Sequence, residues 1–396
     1  MMLSLCTIVK NEETSLPNCL SSVKDAVDEM VVLDTGSTDR TPEIAKQFGA
    51  SVYHFEWCDD FAAARNEALK YVQGDWVLVL DADEVLTPEI VPQLKQAILQ
   101  PGNLVVNLVR QEVGAIGSPY SLVSRLFRNH PAIRFSRPYH AMVDDSVVQL
   151  LQREPQWQVG YLPDVAIVHY GYQPEAIASK NKFQKAQAAM ESYLAKHPDD
   201  AYVCSKLGAL YVQVGDIDRG VELLKRGLNS KSIDDLVLYE LHYHLGIAYE
   251  HLQQLNLAKY HYQAATQVPI FPKLKLAAYN NLGNVLKDNS KLQQAKTAYE
   301  TALQIDPNFA PGYYNLGMTL KVLGRWEDAI AAYQKAINLN PNYAEAYQNL
   351  GVVLLKVGYV QESLSAFARA IALHEQHNPS EAQRLRQGLR EMGFNF

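Results

Sequence analysis

The segment Trp76–Glu84, W-V-L-V-L-D-A-D-E, decides how the first half of the chain is read. Five apolar residues run without a break into Asp81, Asp83 and Glu84. A strand covered on both faces, as in a parallel sheet, has this continuous apolar character. The carboxyl edge of such a sheet is where open α/β folds keep their ligands. Three carboxylates within four residues repel one another, and a positive charge between them relieves the repulsion. The simplest is a hard divalent cation, which takes oxygen ligands. The same letters also describe a strand running into an acidic surface turn, so the segment alone leaves both readings open.

On the N-terminal side the same grammar repeats. Leu3–Val9 is an apolar run closed by K-N-E-E, Lys10–Glu13, and predicts a first strand. A helix follows from Thr14 or Ser15, with Pro17 in its first turn, where the missing N–H costs nothing. Glu29–Leu33 predicts a second strand ending in D-T-G-S-T-D, Asp34–Asp39. Thr41-Pro42 opens a helix that Gly49 closes, and Ser51–Phe55 predicts a third strand. A helix over Asp60–Tyr71 precedes the Trp76 strand, and Thr87-Pro88 opens another, to about Leu99. Strands alternating with helices at this spacing imply βαβ units and a parallel sheet. From Asn103 the pattern changes. Asn103–Arg110 and Leu122–Arg128 predict strands, with short pieces at Ile133–Ser136, Ser146–Leu150 and Val165–His169. These suggest an antiparallel completion of a mixed sheet.

After Gly171 the chain turns helical and self-similar. Leu-Gly pairs stand at Leu207-Gly208, Leu245-Gly246, Leu282-Gly283, Leu316-Gly317 and Leu350-Gly351, the last three spaced 34 residues apart. That is the period of the tetratricopeptide (TPR) repeat, a helix pair that buries its apolar face only by stacking on its neighbours. In the unit Ala310–Tyr343, Gly317 predicts a close helix contact, Gly324 a turn, and Ala329 the crossing point. Tyr333 and Ala336 are expected to pack on the next unit, and Pro341 ends the second helix. The predicted organisation is an α/β domain over 1–173, a connecting helix over 174–200, about five repeats over 201–379 and a solvating cap helix over 380–396.

Composition narrows the function classes. The formal charge of the 396 residues is −7, and no basic run occurs, which argues against a nucleic-acid partner. The four cysteines have no Cys-x-x-Cys spacing and suit a reducing, cytoplasmic location. The apolar N-terminus has no basic residues before it and no small-residue cleavage site after it, so it predicts a strand and not a signal peptide. No apolar run is long enough to predict a transmembrane segment, and peripheral attachment to a membrane is left open.

Four polar clusters fall at the predicted carboxyl edge: Asn11-Glu12, Asp34, Arg65-Asn66 and Asp81-x-Asp83. Neighbouring parallel strands share one crevice there. A nucleotide diphosphate asks for this set, since a carboxylate such as Asp34 accepts from a base edge or ribose hydroxyls, and a metal held by Asp83 neutralises the phosphates. Neither G-x-G-x-x-G nor G-x-x-x-x-G-K-[ST] occurs in the region, so a dinucleotide fold or a P-loop is not supported.

The ordered motifs K-N-E-E, V-V-L-D-T-G-S-T-D, D-F-A-A-A-R-N-E-A-L and G-D-W-V-L-V-L-D-A-D-E resemble an inverting family 2 glycosyltransferase of the GT-A fold, over roughly Met1–Tyr172. The resemblance implies a Rossmann-like mixed sheet and a nucleotide-diphosphate sugar donor, a UDP- or GDP-sugar. It implies that Asp34 binds base or ribose, that Asp81 helps hold the nucleotide, and that Asp83 ligates Mn²⁺ or Mg²⁺. V-H-Y-G-Y, Val168–Tyr172, is similar to a later family motif and makes His169 a candidate further ligand; a satisfied core histidine is the alternative. Two departures stand out. Only Asn11 carries over from the family's Thr-Tyr-Asn-like segment. After R-L-F-R, Arg125–Arg128, the usual His-Glu is replaced by His140-Ala141, with Asp144 and Asp145 just beyond.

An inverting transfer needs a base for the acceptor's proton. Asp144 and Asp145 are the nearest carboxylates, with Asp144 slightly preferred; a polar turn is the competing account. Arg125, Arg128 and His140 either face the sugar and phosphates or, for the arginines, form solvated strand ends. The acceptor, whether peptide or protein, lipid-linked intermediate or polysaccharide, is not written in these residues. The repeats are expected to bind it or a partner protein. The alternative is a repeat scaffold whose first domain is a catalytically degraded glycosyltransferase.

Overall fold

The computed structural model describes residues 1–115, 118–170 and 180–395, with the backbone alone at 180–182. The chain divides into two compact units, Met1–Val203 and Cys204–Phe396. The boundary expected at 173 lies outside the described residues.

The first unit is built on one eight-stranded mixed sheet. Its strands are β1 (Leu3–Val9), β2 (Glu29–Asp34), β3 (Ser51–His54), β4 (Trp76–Val79), β5 (Glu84–Leu86), β6 (Asn103–Glu112), β7 (Tyr120–Arg128) and β8 (Gln158–His169). They lie in the order β3-β2-β1-β4-β7-β6-β8-β5. β1 to β4 are mutually parallel, and β7 enters antiparallel to β4. Alternate residues of each central strand feed opposite cores. Leu3, Leu5, Trp76 and Leu78 pack with helices α1 (Leu16–Val23), α2 (Thr41–Gln47) and α4 (Val91–Ile98). Cys6, Val77 and Val79 pack with α3 (Phe61–Ala68) and α5 (Asp144–Arg153). The carboxyl ends of β1, β2 and β4 are thereby left at one open edge.

Three expectations for the second half of this unit are corrected. Ser146–Leu150 is not a strand but part of α5. Val147 and Leu150 are buried while Val148 is 54% exposed, a helical spacing and not an alternating one. Asp144 and Asp145 fall in the first turn, where carboxylates favour the helix dipole. Ile133–Ser136 is no strand either; Ser136 makes only an isolated bridge to Met142. Finally, β8 is longer than expected and runs parallel to β6. It adds outside β6 and not beside β7, its predecessor in the chain. β5, which no pattern announced, pairs antiparallel with the end of β8.

The second unit is a run of antiparallel helix pairs, a TPR solenoid. The pairs are Asp235–His251 with Leu255–Gln267, Leu276–Asp288 with Leu292–Ile305, Ala310–Val322 with Trp326–Leu339, and Ala344–Lys356 with Val360–His377. Helix Ala201–Gln213, which spans the division between units, pairs with Ile217–Leu228, and Pro379–Glu391 closes the run. The glycines of the last four Leu-Gly pairs, Gly246, Gly283, Gly317 and Gly351, are each a notch for one ring, while Gly208 lies against Leu224. A Cβ at Gly317 would stand 2.7 Å from the Tyr333 ring. Tyr333 thus packs first within its own unit, while also joining a core with Leu350 and Val353 of the next.

Gly317→Ala is therefore expected to destabilise by about 1–3 kcal/mol through overpacking. At Gly388, in the last helix, a Cβ meets nothing within 4 Å. Gly388→Ala is expected to stabilise by up to about 1 kcal/mol through helix propensity. Thermal unfolding of the two variants should shift in opposite directions; a Gly317→Ala protein as stable as the parent would refute the notch.

Candidate active site

At the ends of β1 and β2 the chain folds onto itself. Asn11 adopts a left-handed φ of 56°. Its N–H donates to Ser37 Oγ at 2.9 Å, and its Oδ1 accepts from the Thr38 N–H at 2.7 Å. The Glu12 N–H donates to Thr41 Oγ1 at 2.8 Å. Asp34 is only 4% exposed. Its carboxylate accepts from the Gly36 and Ser37 N–H groups at 3.2 Å and lies 3.3 Å from His54 Nδ1. Gly36, at φ 98°, permits that turn. Asn11, Glu12 and Asp34 are thus brought together, and Asp34 already shapes its own loop.

At the end of β4, Asp81 sits between two guanidinium groups. Arg65 Nη2, from α3, donates to Oδ1 at 2.6 Å, and Arg125 Nη2, from β7, donates to Oδ2 at 2.9 Å. Burial by itself would raise the carboxyl's pKa, but the Arg125 and Arg65 charges hold it well below the usual carboxylate range. Arg125 and Arg128, three residues apart, have different fates. Arg128 lies at the other end of β7, opposite Trp76. It donates to the carbonyls of Asn103, Gln100 and Pro101 and covers the Trp76 and Trp157 rings. It neither faces this edge nor forms a solvated strand end.

The β5–β8 pairing sets Glu84 opposite His169. Next to it, Asp83 Oδ2 lies 3.3 Å from His169 Nε2 across 86 residues of sequence. His169 Nδ1 donates to Glu112 Oε2 at 2.6 Å. Burial would lower the imidazole's pKa, but the hydrogen bonds to Asp83 and Glu112 raise it to about 9. Glu112 is held down at about 2 against burial, by His169, Arg110 and Ser121. A chain of buried contacts continues from there. Arg110 Nε donates to Glu112 Oε1 at 2.8 Å, and Arg110 Nη1 donates to Glu84 Oε1 at 2.7 Å. Glu84 Oε2 accepts from the Asp81 N–H at 2.8 Å. Sequence reasoning passed over Glu112 and Arg110. The available signal was R-Q-E, Arg110–Glu112, two charges on one strand face at the end of an apolar run.

Among the described residues, no three His, Cys, Asp or Glu side chains are grouped to hold a metal ion by themselves. Asp83 and His169 supply two donors, an oxygen and a nitrogen, side by side. Mg²⁺ commonly takes one or two protein carboxylates and completes its shell with waters and substrate phosphates, and imidazole ligands suit several divalent metals. A carboxylate behind the histidine is the usual partner of a metal-ligating imidazole. The donor set fits a divalent cation that shares a diphosphate.

Asp144 and Asp145 open α5. Ser124 Oγ lies 2.8 Å from Asp144 Oδ1, and Ser124 immediately precedes Arg125, so consecutive residues of β7 hold Asp144 and Asp81. Asp145 is taken up differently: Ser136 Oγ and Arg137 Nη1 donate to it at 2.5 and 2.6 Å. Arg137 also pairs with Asp200 at 3.0 Å. Arg137 and His140 both have left-handed φ, at 72° and 52°, in the loop before α5. His140 is exposed, and its carbonyl accepts from the Tyr202 hydroxyl at 3.2 Å. The Gly171-Tyr172 end of the V-H-Y-G-Y motif lies outside the described residues.

Comparison with known proteins agrees with this division. The model of glycosyl transferase family 2 matches residues 4–160. Tetratricopeptide repeat models match 276–309, 298–331 and 344–381, and a TPR repeat model matches 319–358. A TPR repeat-containing protein of Synechococcus elongatus is 46% identical over 304 residues, 77% of this chain and 75% of that protein. The SPbeta prophage-derived glycosyltransferase SunS of Bacillus subtilis is 26% identical over 229 residues, and the match spans 56% of this chain and 52% of SunS. YrrB, described as a TPR protein with an unusual peptide-binding site, superposes with a TM-score of 0.42 at 19% identity, over 51% of this chain and 100% of that one. With a family 2 glycosyl transferase domain over its sheet followed by tetratricopeptide repeats over its helix pairs, the chain belongs to the same family as the TPR repeat-containing protein of Synechococcus elongatus.

Proposed function

We propose that the chain is a metal-dependent inverting glycosyltransferase, which moves a sugar from a UDP- or GDP-sugar to an acceptor. The observation that carries this reading is the approach of Asp83 to His169, 3.3 Å apart at the sheet edge beside the Arg-paired Asp81. Asp83 and His169 would hold Mn²⁺ or Mg²⁺, which when bound neutralises charge on the departing diphosphate. Asp81, kept ionised by Arg65 and Arg125, orients the nucleotide. The loop formed by Asn11, Glu12 and Asp34 receives base and ribose, Asp34 through oxygen lone pairs not spent on its own turn. Asp144 takes the acceptor's proton, and Ser124 fixes its carboxylate. Asp145, tied to Arg137, holds the preceding loop. The repeats bind the acceptor or a partner protein, since the concave face of such arrays suits an extended peptide or a helix.

Calorimetric titration with UDP- and GDP-sugars tests the reading. Binding in the micromolar range is expected with Mn²⁺ and should disappear when EDTA removes the metal. Silence across a full donor panel would leave the scaffold reading in its place.

A further inference from the structure

We infer that Glu112 is a positioning residue that presents His169 to the cation, an inference resting on the metal-dependent reading above. An imidazole ligates through one nitrogen only, and the hydrogen bond at the other decides which one is offered. Here Nδ1 is spent on Glu112 at 2.6 Å, and Nε2 faces Asp83. Glu112 is itself immobilised. It is 7% exposed, with its second oxygen held by Arg110 and by Ser121 Oγ at 2.6 Å.

Through Arg110 and Glu84 the same chain of contacts reaches the Asp81 N–H. The turn carrying Asp83 and the strand end carrying His169 are therefore braced against each other by side chains from β5, β6 and β8. A solvated His169 would have no reason to keep its ring plane or its tautomer; a braced one holds both. Carboxylates behind ligating imidazoles typically matter about 10–100-fold in metal affinity.

The test uses the full chain and its Glu112→Gln and Glu112→Asp variants. Mn²⁺ affinity is measured by electron paramagnetic resonance with UDP or GDP present, and electron spin echo modulation reads the imidazole nitrogen bound to Mn²⁺. In the metal-free protein, proton NMR reads the low-field Nδ1–H signal expected of the Glu112 contact. Glu112→Gln is expected to weaken Mn²⁺ binding by about 10–100-fold and to diminish or lose both signatures. Glu112→Asp, which keeps the charge, should recover part of the affinity; it also reads the effect if the glutamine variant does not fold. Parental affinity and unchanged signatures in Glu112→Gln would overturn the inference, leaving Glu112 as a structural partner of Arg110. A parent chain that binds no Mn²⁺ with either nucleotide would overturn this inference and the proposed function together.

Discussion

Asp83→Ala is expected to lower release of nucleoside diphosphate from a sugar donor by about a thousandfold while leaving the fold nearly as stable as before. A metal ion at a departing phosphate is worth several kcal/mol, and each 1.36 kcal/mol is a factor of ten in rate. Asp83 has little structural duty to set against that loss. Its side chain is 35% exposed and pairs with His169, which keeps Glu112 when Asp83 is gone. Partly exposed pairs of this kind contribute about 1 kcal/mol or less. Two measurements check the claim: nucleotide release under Mn²⁺ saturation, and the thermal midpoint. Turnover within tenfold of the parent would remove Asp83 from the metal site. A large fall in midpoint would mean that lost activity reports unfolding.

Asp81→Asn, two residues away, is expected to behave in the opposite sense. Asp81 is the anion between two cations that have little water: the side chains of Arg65 and Arg125 are 9% and 12% exposed. Neutralising it leaves two buried guanidinium groups facing each other. Breaking a buried pair by removing one partner typically costs about 3–5 kcal/mol, because an uncompensated charge remains. For a unit of this size that is a fall of roughly 10 °C in the thermal midpoint. The isosteric amide excludes a cavity as the cause. Adding Arg125→Leu to Asp81→Asn should restore part of the loss, since it removes one of the two repelling charges; a double-mutant cycle measures that coupling. Scanning calorimetry resolves the unit concerned. Additive losses would show that Asp81 and Arg125 are not coupled.

Two carboxylates separated by one alanine, 32% and 35% exposed, thus divide the labour through their partners: one lies between two arginines and holds the edge together, the other meets His169. D-A-D does not say which is which. That depends on Arg65, which α3 brings from one side, and on Arg125, which β7 brings from another. The same limit explains the two arginines of R-L-F-R. Both look like strand-end charges in the linear text, yet the β4–β7 register sends one to the site and the other to Trp76.

The sequence by itself determined the parallel half of the sheet and the repeat array. Strands covered on both faces must be continuously apolar, and stacked helix pairs must repeat their contact residues, so both leave a local or periodic trace. It also determined the chemical inventory of the edge, because carboxylates closing buried strands need a reason to be there. Only the tertiary structure decided the rest. It made Ser146–Leu150 a helical turn, placed β8 outside β6, and created β5 as the partner of the β8 end. From that last pairing came the meeting of His169 with Asp83 and the bracing by Glu112, Arg110 and Glu84. Strand order and register arise from contacts between residues far apart in the chain, and no local pattern of hydrophobicity or charge encodes which distant strand will lie alongside.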